Sequence, residues 1–326
     1  MTQPKKEAPK EMISVSEKNN KTYVKINFSS LDIINTCLRK TFYSLEKGYR
    51  NTEPSPALIM GSAIHKALEV WYLSDPAERI VPTNANDNGL KVALGHLDPP
   101  PGSVFFAAIK GFAEVMEPVK DTPASDKRSI DNGIKILVEY FKRYKDDGME
   151  VLCDSEGLPY VERLASHVMY DSSDLQITYF GTVDVILQNK QTGIVAVTDH
   201  KTTAALGTQF YNRLKPNHQY TGYLWLAQKE LLIDTRMFMI NGIQIAKTKQ
   251  DFARQFTERD ESDFQELENA VVGGVKRYLE ARETGVWTQN APQPCTMYGS
   301  CSYLRVCEVN PKLRENVISS LWENSI

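Results

Sequence analysis

The chain has 326 residues, 41% hydrophobic and 24% charged, with a formal net charge of −3. This is an ordinary composition for a globular chain able to bury a sizeable core; it excludes a membrane-embedded protein and a uniformly basic nucleic-acid coat, but allows a local positive groove. Length alone suggests about two domains.

The first 22 residues carry Lys, Glu, Pro and Asn without the apolar core of a secretory signal, so a flexible arm and a cytoplasmic protein are expected. NFSSLDIINTCLRKTFY predicts a helix capped by its serines, with Leu31, Ile34, Cys37, Leu38 and Phe42 at helical spacing. ALIMGSAIHKALEVWY predicts a second helix, with Ile64, Ala67, Leu68 and Trp71 inward and His65 beside that stripe. A lone histidine there is usually just packed. From about 74 to 150 the chain is punctuated by Pro, Asn and Asp, then helical around Ile134, Leu137, Val138 and Phe141. It reads as a helical insertion without recognisable chemistry.

From Pro159 the pattern turns to strands. YVERLASHVMY and LQITYFGTVDVILQNK flank the turn-forming DSSD and predict a hairpin, with Asp184 in mid-strand, where an acid is disfavoured and expects a partner. VAVTDHKTT follows, a β-branched run ending in charges. Alternation places Val195, Val197, Asp199 and Lys201 on one face and His200 on the other. Read alone, this is as well an ordinary strand end with an ion pair. A helix entered around Pro216 sets Gln219 and Tyr223 four apart on one face, able to reach one ligand. RMFMINGIQIAK then predicts a strand and ESDFQELENAVVGGVKRYLEA an amphipathic helix. Arg39, Lys40, Lys47, Arg50, Arg213, Lys215, Lys247, Lys249, Arg254 and Arg259 are groove candidates, although most such charges are solvated surface.

Five cysteines in a reducing compartment do not make a disulfide framework. Cys295, Cys301 and Cys307 are evenly spaced, unlike the paired ligands of a zinc finger. They can supply three thiolates to one cluster, with a fourth from elsewhere in the chain. The alternative is buried, unreactive thiols, which Cys153 fits best.

In their joint order, His65 in GSAIH, Asp184 in GTVD, Asp199-His200-Lys201, and Gln219 with Tyr223 in QYTGY resemble the RecB-type branch of the PD-(D/E)XK nucleases. The resemblance runs from about Ser29 to Cys307. Cys37 with Cys295, Cys301 and Cys307 is similar to the one-early, three-late arrangement of the iron-sulfur branch, which includes AddB-like and CRISPR-adaptation nucleases and many phage-encoded relatives. Val183 stands where the family name has Pro, and Asp199 where many members have Glu; that branch tolerates both.

The resemblance implies a restriction-endonuclease-like α/β fold, a mixed sheet flanked by helices, in one domain over 23–326. The helical insertion would lie at 74–150, and a 4Fe-4S clamp from the segment 295–307 would join the chain's two ends. It implies a metal-dependent DNA exonuclease of a bacterial host cell, acting on single strands or DNA ends in recombination, repair or replication. Phosphodiester hydrolysis needs a hard cation, Mg2+ or Mn2+, which carboxylates suit. Asp184 and Asp199 would be ligands, joined by the His200 backbone carbonyl and by His65, whose imidazole favours Mn2+. Glu162 would bind or support an ion, and Lys201 would hold the attacking water or steady the phosphate. Gln219 and Tyr223 would position the DNA. A structure-selective endonuclease and a non-catalytic DNA-binding or assembly subunit are the alternatives. No P-loop motif is present, so a helicase or recombination partner would be a separate chain.

Overall fold

The computed structural model describes residues 13–49, 55–296 and 300–322. The strands β1 (Ile13–Lys18) and β2 (Lys21–Ile26) pair antiparallel. Between them Asn19 and Asn20 take φ of 52° and 59°, the left-handed conformation that a two-residue hairpin turn needs and asparagine tolerates. This corrects the flexible arm expected over 1–22. From Ile13 the chain is sheet, because its scattered apolar residues alternate and Val24 and Ile26 are buried. Residues 1–12 lie outside the described residues.

Helix α1 (Phe28–Thr36) is capped by Asn27, whose side chain accepts from Ser30 N at 2.9 Å, rather than by the serines. Cys37 then takes an extended conformation and separates α1 from the short α2 (Leu38–Thr41). Helix α3 (Pro56–Leu73) starts on a proline whose missing N–H costs nothing there. It buries the expected stripe, leaving His65 half-buried. Next come α4 (Ala85–Ala93), α5 (Val104–Met116) and α6 (Ile130–Tyr144). They are not an appendage: Phe105, Ile109, Phe112, Leu137 and Phe141 share one core with Trp71 of α3 and with sheet residues. The rings of Trp71 and Phe141 stack at 4.0 Å. A Cβ on Gly133 would lie 2.2 Å from Phe112 Cζ, so only glycine lets the helices approach so closely.

The sheet continues with β3 (Met149–Val151), β4 (Val161–Asp171), β5 (Leu175–Asn189) and β6 (Val195–Thr203). Two helices follow, α7 (Thr208–Tyr211) and α8 (His218–Lys229), then β7 (Met237–Gln244) and β8 (Phe252–Glu258). The chain closes with α9 (Glu261–Thr284), α10 (Gln293–Thr296), α11 (Leu304–Glu308) and α12 (Arg314–Trp322). Asn217 caps α8, so that helix begins just past Pro216. The strand order is β1-β2-β5-β6-β7-β8, with β3 and β4 also paired to β5. The β2–β5 and β6–β7 pairs are parallel, β5–β6 and β7–β8 antiparallel, so the sheet is mixed as expected.

By contact density the chain divides into two compact units, where a single domain over 23–326 was expected. One comprises Met1–Thr52, Ser166–Gly181 and Gln265–Ile326, as far as its residues are described. Within it Arg39 N donates to Thr288 O at 2.9 Å, and Gly274 of α9 lies so close to α1 that a Cβ would meet Leu31 at 2.8 Å. The other comprises Glu53–Ala165 and Thr182–Phe264, with the core around Trp71 and Phe141. No helix among the described residues is long and apolar enough to cross a membrane.

Candidate active site

Six side chains singled out in the sequence, those of His65, Asp184, Asp199, Lys201, Gln219 and Tyr223, belong to the second unit, as do His200 and Glu162. Strand β6 is held between β5 and β7, so its residues from Ala196 to His200 are buried. The β5–β6 ladder runs as far as Val185↔Thr198. One step further in that register Asp184 and Asp199 are cross-strand neighbours, and such neighbours share a face.

Asp199 is 1% exposed. Lys201 Nζ donates to its Oδ1 at 3.1 Å and lies 3.0 Å from Oδ2, at an angle that makes no hydrogen bond. Buried Oδ2 therefore accepts none. The ammonium beside it meets its charge, and a bound cation would supply the partner that geometry denies it. Asp184 Oδ2 accepts from the His200 backbone N–H at 2.9 Å and lies 3.4 Å from His65 Nδ1. Burial, then the charge of Asp199, pushes the Asp184 carboxyl up to about 6, against the pull of His65, the His200 N–H and Lys201. Burial works against the Lys201 charge too, but Asp199 and Asp184 outweigh it and hold the ammonium above its ordinary value.

Glu162 completes the group. Ligand atoms of His65, Glu162 and Asp184 all lie within 4.8 Å of one another. Glu162 holds φ at 48°, a left-handed conformation that strains a residue with a Cβ. No period or spacing in the sequence signals such a backbone angle. Two carboxylates and an imidazole within reach of one point are a donor set that fits Mg2+ or Mn2+; Asp199, expected as a ligand, is not one of these three, although its charge is felt at Asp184.

The His200 carbonyl, expected as a ligand, accepts from His65 Nε2 at 2.6 Å. This bond turns Nδ1 of the same ring toward Asp184, and the carbonyl retains a second lone pair. The His200 imidazole faces away from the acids, as alternation predicts. It stacks on Tyr72 with centroids 5.5 Å apart, and Nδ1 meets Asn241 Nδ2 at 2.7 Å. Burial, then His65 and Arg254, keeps it neutral, well below the usual histidine range. Asn241 also bonds Tyr140, Tyr140 bonds Tyr72 at 2.8 Å, and Arg254 bonds Tyr72 and Asp147. This buried network fixes the end of β6. Its one sequence signal was Asn241, a polar residue inside an apolar run. Arg254 is thus a structural cation, as is Arg259, 1% exposed and bonded to Thr221 and Leu214 O; neither is a groove residue.

On α8, Gln219 Nε2 donates to Tyr223 Oη at 3.1 Å. Burial, then the charges of Asp199 and Asp184, raises the Tyr223 hydroxyl and keeps it protonated. It can donate to a phosphate oxygen.

The four cysteines paired by resemblance lie together in the first unit. Burial raises the Cys295 thiol first, then Cys301 and Cys37; burial likewise raises Cys307, where Arg39 opposes and Cys37 and Cys301 add. Cys301 N donates to Cys295 O at 2.9 Å. These thiols are near enough to feel one another's charge, but they do not form a set packed within 4.8 Å as the acid group does. Cys153, expected as a buried thiol, is exposed instead, in an isolated bridge with Pro159.

Among solved structures, a candidate exonuclease from Eubacterium rectale is 13% identical, with a TM-score of 0.46, over 87% of this chain and 88% of that one. A protein designated SSO0001 is 11% identical, with a TM-score of 0.30, over 85% of this chain and 95% of that one. No curated protein matches in sequence. Residues 25–308 match the model of the PD-(D/E)XK nuclease superfamily. With the acids, the lysine and the mixed sheet that carries them in place, the chain belongs to the PD-(D/E)XK nuclease superfamily.

Proposed function

We propose that the chain is a metal-dependent DNA exonuclease that hydrolyses phosphodiester bonds of single strands or DNA ends. The observation that carries this is the juxtaposition of Asp184, Asp199 and Lys201 on two adjacent strands, with Asp199 Oδ2 buried and lacking a donor. A binding subunit has no use for so costly a set. Asp184 and Asp199 would hold a divalent cation, with His65 Nδ1 and Glu162 alongside. When bound, it supplies neutralisation of phosphate charge and a lowered pKa for a water.

The protein groups do the rest. Lys201, kept protonated by Asp199, stabilises the negative charge that grows on the phosphate oxygens and orients the attacking water. The His200 N–H holds Asp184 in place, and the His65 bond to the His200 carbonyl sets the ring. Tyr223, steadied by Gln219, donates to the substrate backbone.

A second part of the proposal is that Cys37, Cys295, Cys301 and Cys307 hold a 4Fe-4S cluster, which would tie early and late segments of the first unit. What supports it is that all four lie in the first unit and that Cys295 and Cys307 both feel the charge of Cys37 and Cys301, while an iron-sulfur cluster takes four such thiolates. Recombination, repair or replication is the setting such an activity suits, with any unwinding motor on a separate chain. The test is incubation of purified protein with end-labelled single- and double-stranded DNA in Mg2+, Mn2+ or chelator. Metal-dependent release of label from ends supports the reading, and uncut DNA in every condition refutes it. Internal fragments from a branched substrate would favour the endonuclease instead.

A further inference from the structure

We infer that two adjoining depressions at the end of β6 form a track for an unpaired DNA strand, with phosphates on Lys127, Arg128 and Arg213 and a base against Phe210. The inference rests on the nuclease reading and extends it to the substrate's path. One depression, about 80 Å3, has Lys127 and Arg128 in its wall. The other, about 410 Å3, has Phe210 and Arg213. Thr203 and Ala204 line both, so the two meet at the stretch of chain that directly follows Lys201.

Charge complementarity identifies the occupant. The chain carries 41 acids against 38 Lys and Arg, yet three cations and no carboxylate line these depressions. Three of the cations that the sequence offered for a groove are paired with acids instead: Lys215 with Asp263, Lys249 with Asp251, Arg254 with Asp147. The backbone at Lys127 and Arg128 is fixed, with Lys127 O accepting from Asn132 at 2.7 Å and Arg128 N donating to Asp126 at 2.8 Å. Their side chains enter no ion pair among the described residues. Two unpaired cations in a wall that no carboxylate lines, with Arg213 further along it, fit a polyanion.

Phe210 makes the polyanion an unpaired strand. A Cβ on Gly242 would lie 2.9 Å from Phe210 Cζ, so the sheet backs the ring firmly, and the ring is only half-buried. A firm aromatic face beside phosphate-binding cations is how single strands are held, through stacking on a base face that a duplex hides.

The test is fluorescence anisotropy in chelator, where nothing is cut, with a labelled oligothymidylate and a blunt hairpin duplex. The variants are Lys127→Glu with Arg128→Glu, Arg213→Glu, and Phe210→Ala, with Phe210→Leu as the milder version; thermal melting checks their folding. The double charge variant is expected to bind the oligothymidylate at least about tenfold more weakly, and its plot of log affinity against log salt to flatten by roughly 0.7 per lost contact. Phe210→Ala is expected to lose about tenfold with the salt slope unchanged. Wild-type affinity and slope in the charge variants overturn the track. So does a duplex bound as tightly as the oligothymidylate and weakened equally. Cleavage with Mn2+, run in parallel, separates the two readings. A wild-type protein that cuts DNA while the variants bind normally overturns the track alone; one that neither binds nor cuts DNA overturns the nuclease reading and the track with it.

Discussion

Replacing Lys201 with methionine keeps the aliphatic stem and removes the charge, and the pair it breaks is lopsided. Asp199 is almost wholly buried, whereas the lysine side chain is 33% exposed. Removing one partner of a fully buried pair costs about 3–5 kcal/mol, because the remaining charge stays in a poor solvent. Partial exposure of the lysine screens the pair, so roughly half of that, about 2 kcal/mol, is expected here. That loss should appear as a melting point lowered by several degrees in chelator. It should shrink when Mn2+ is added, since a cation at the acids meets the same carboxylate that the lysine left. Catalysis should not recover. Losing one group that stabilises developing charge costs about 2.7–4 kcal/mol in the barrier, a hundredfold to a thousandfold in rate. Single-turnover cleavage of an end-labelled oligonucleotide, with DNA binding measured separately, reads both numbers. Wild-type cleavage by the variant would refute the assignment of Lys201. A melting point equally depressed with and without Mn2+ would refute the claim that cation and ammonium share Asp199.

Replacing His65 with alanine should weaken Mn2+ affinity, measured by calorimetry, about tenfold and leave DNA binding in chelator unchanged; unaltered affinity would mean that the ring is only packed. The Asp184 carboxyl, raised to about 6 by burial and by Asp199, takes up a proton in the metal-free fold as pH falls through that value. The unfolded chain takes it up only near 4. The metal-free protein should therefore gain stability from this group between pH 6 and 4, while Mn2+ affinity falls by up to tenfold per pH unit below 6, as thermal melts and calorimetry across that range would show. Anaerobically purified protein should be brown, with iron and acid-labile sulfide in similar amounts. Cys153→Ser should keep the colour, and Cys301→Ser should bleach it and lower the melting point. Zinc in place of iron, or bleaching by Cys153→Ser, would refute the ligand set.

The candidate site was legible because its residues break local rules. An acid in mid-strand and charges ending an apolar run stand out against a period of two, and alternation correctly sent His200 to the opposite face from Asp199 and Lys201. The helix that carries Ile64, Leu68 and Trp71 was legible from spacing alone. What stayed hidden depends on tertiary context. The β1–β2 hairpin reads as a polar arm because its turn is two asparagines and its strands are half exposed. The segment 74–150 reads as an insertion because nothing local tells that Phe105, Phe112 and Phe141 pack with Trp71. Arg254 and Arg259 look like surface charge in the sequence, and only their partners reveal them as structural cations. Lys127 and Arg128 passed unnoticed because nothing in their neighbourhood departs from an ordinary loop.

The left-handed backbone at Glu162 has a consequence for how this chain tolerates change. Glycine would sit there without strain, and an acid costs roughly 1 kcal/mol by comparison. The side chain has partners of its own in the fold, so that cost is set against what those contacts return and against the carboxylate placed beside His65 and Asp184. Glycine in its place would relieve the backbone and in the same step take one carboxylate out of the candidate metal set. Removing Asp199 differs in kind, because Lys201 would lose its counter-charge. The two acids are therefore unequal under substitution: one change exchanges a ligand for a relaxed backbone, the other strands an ammonium.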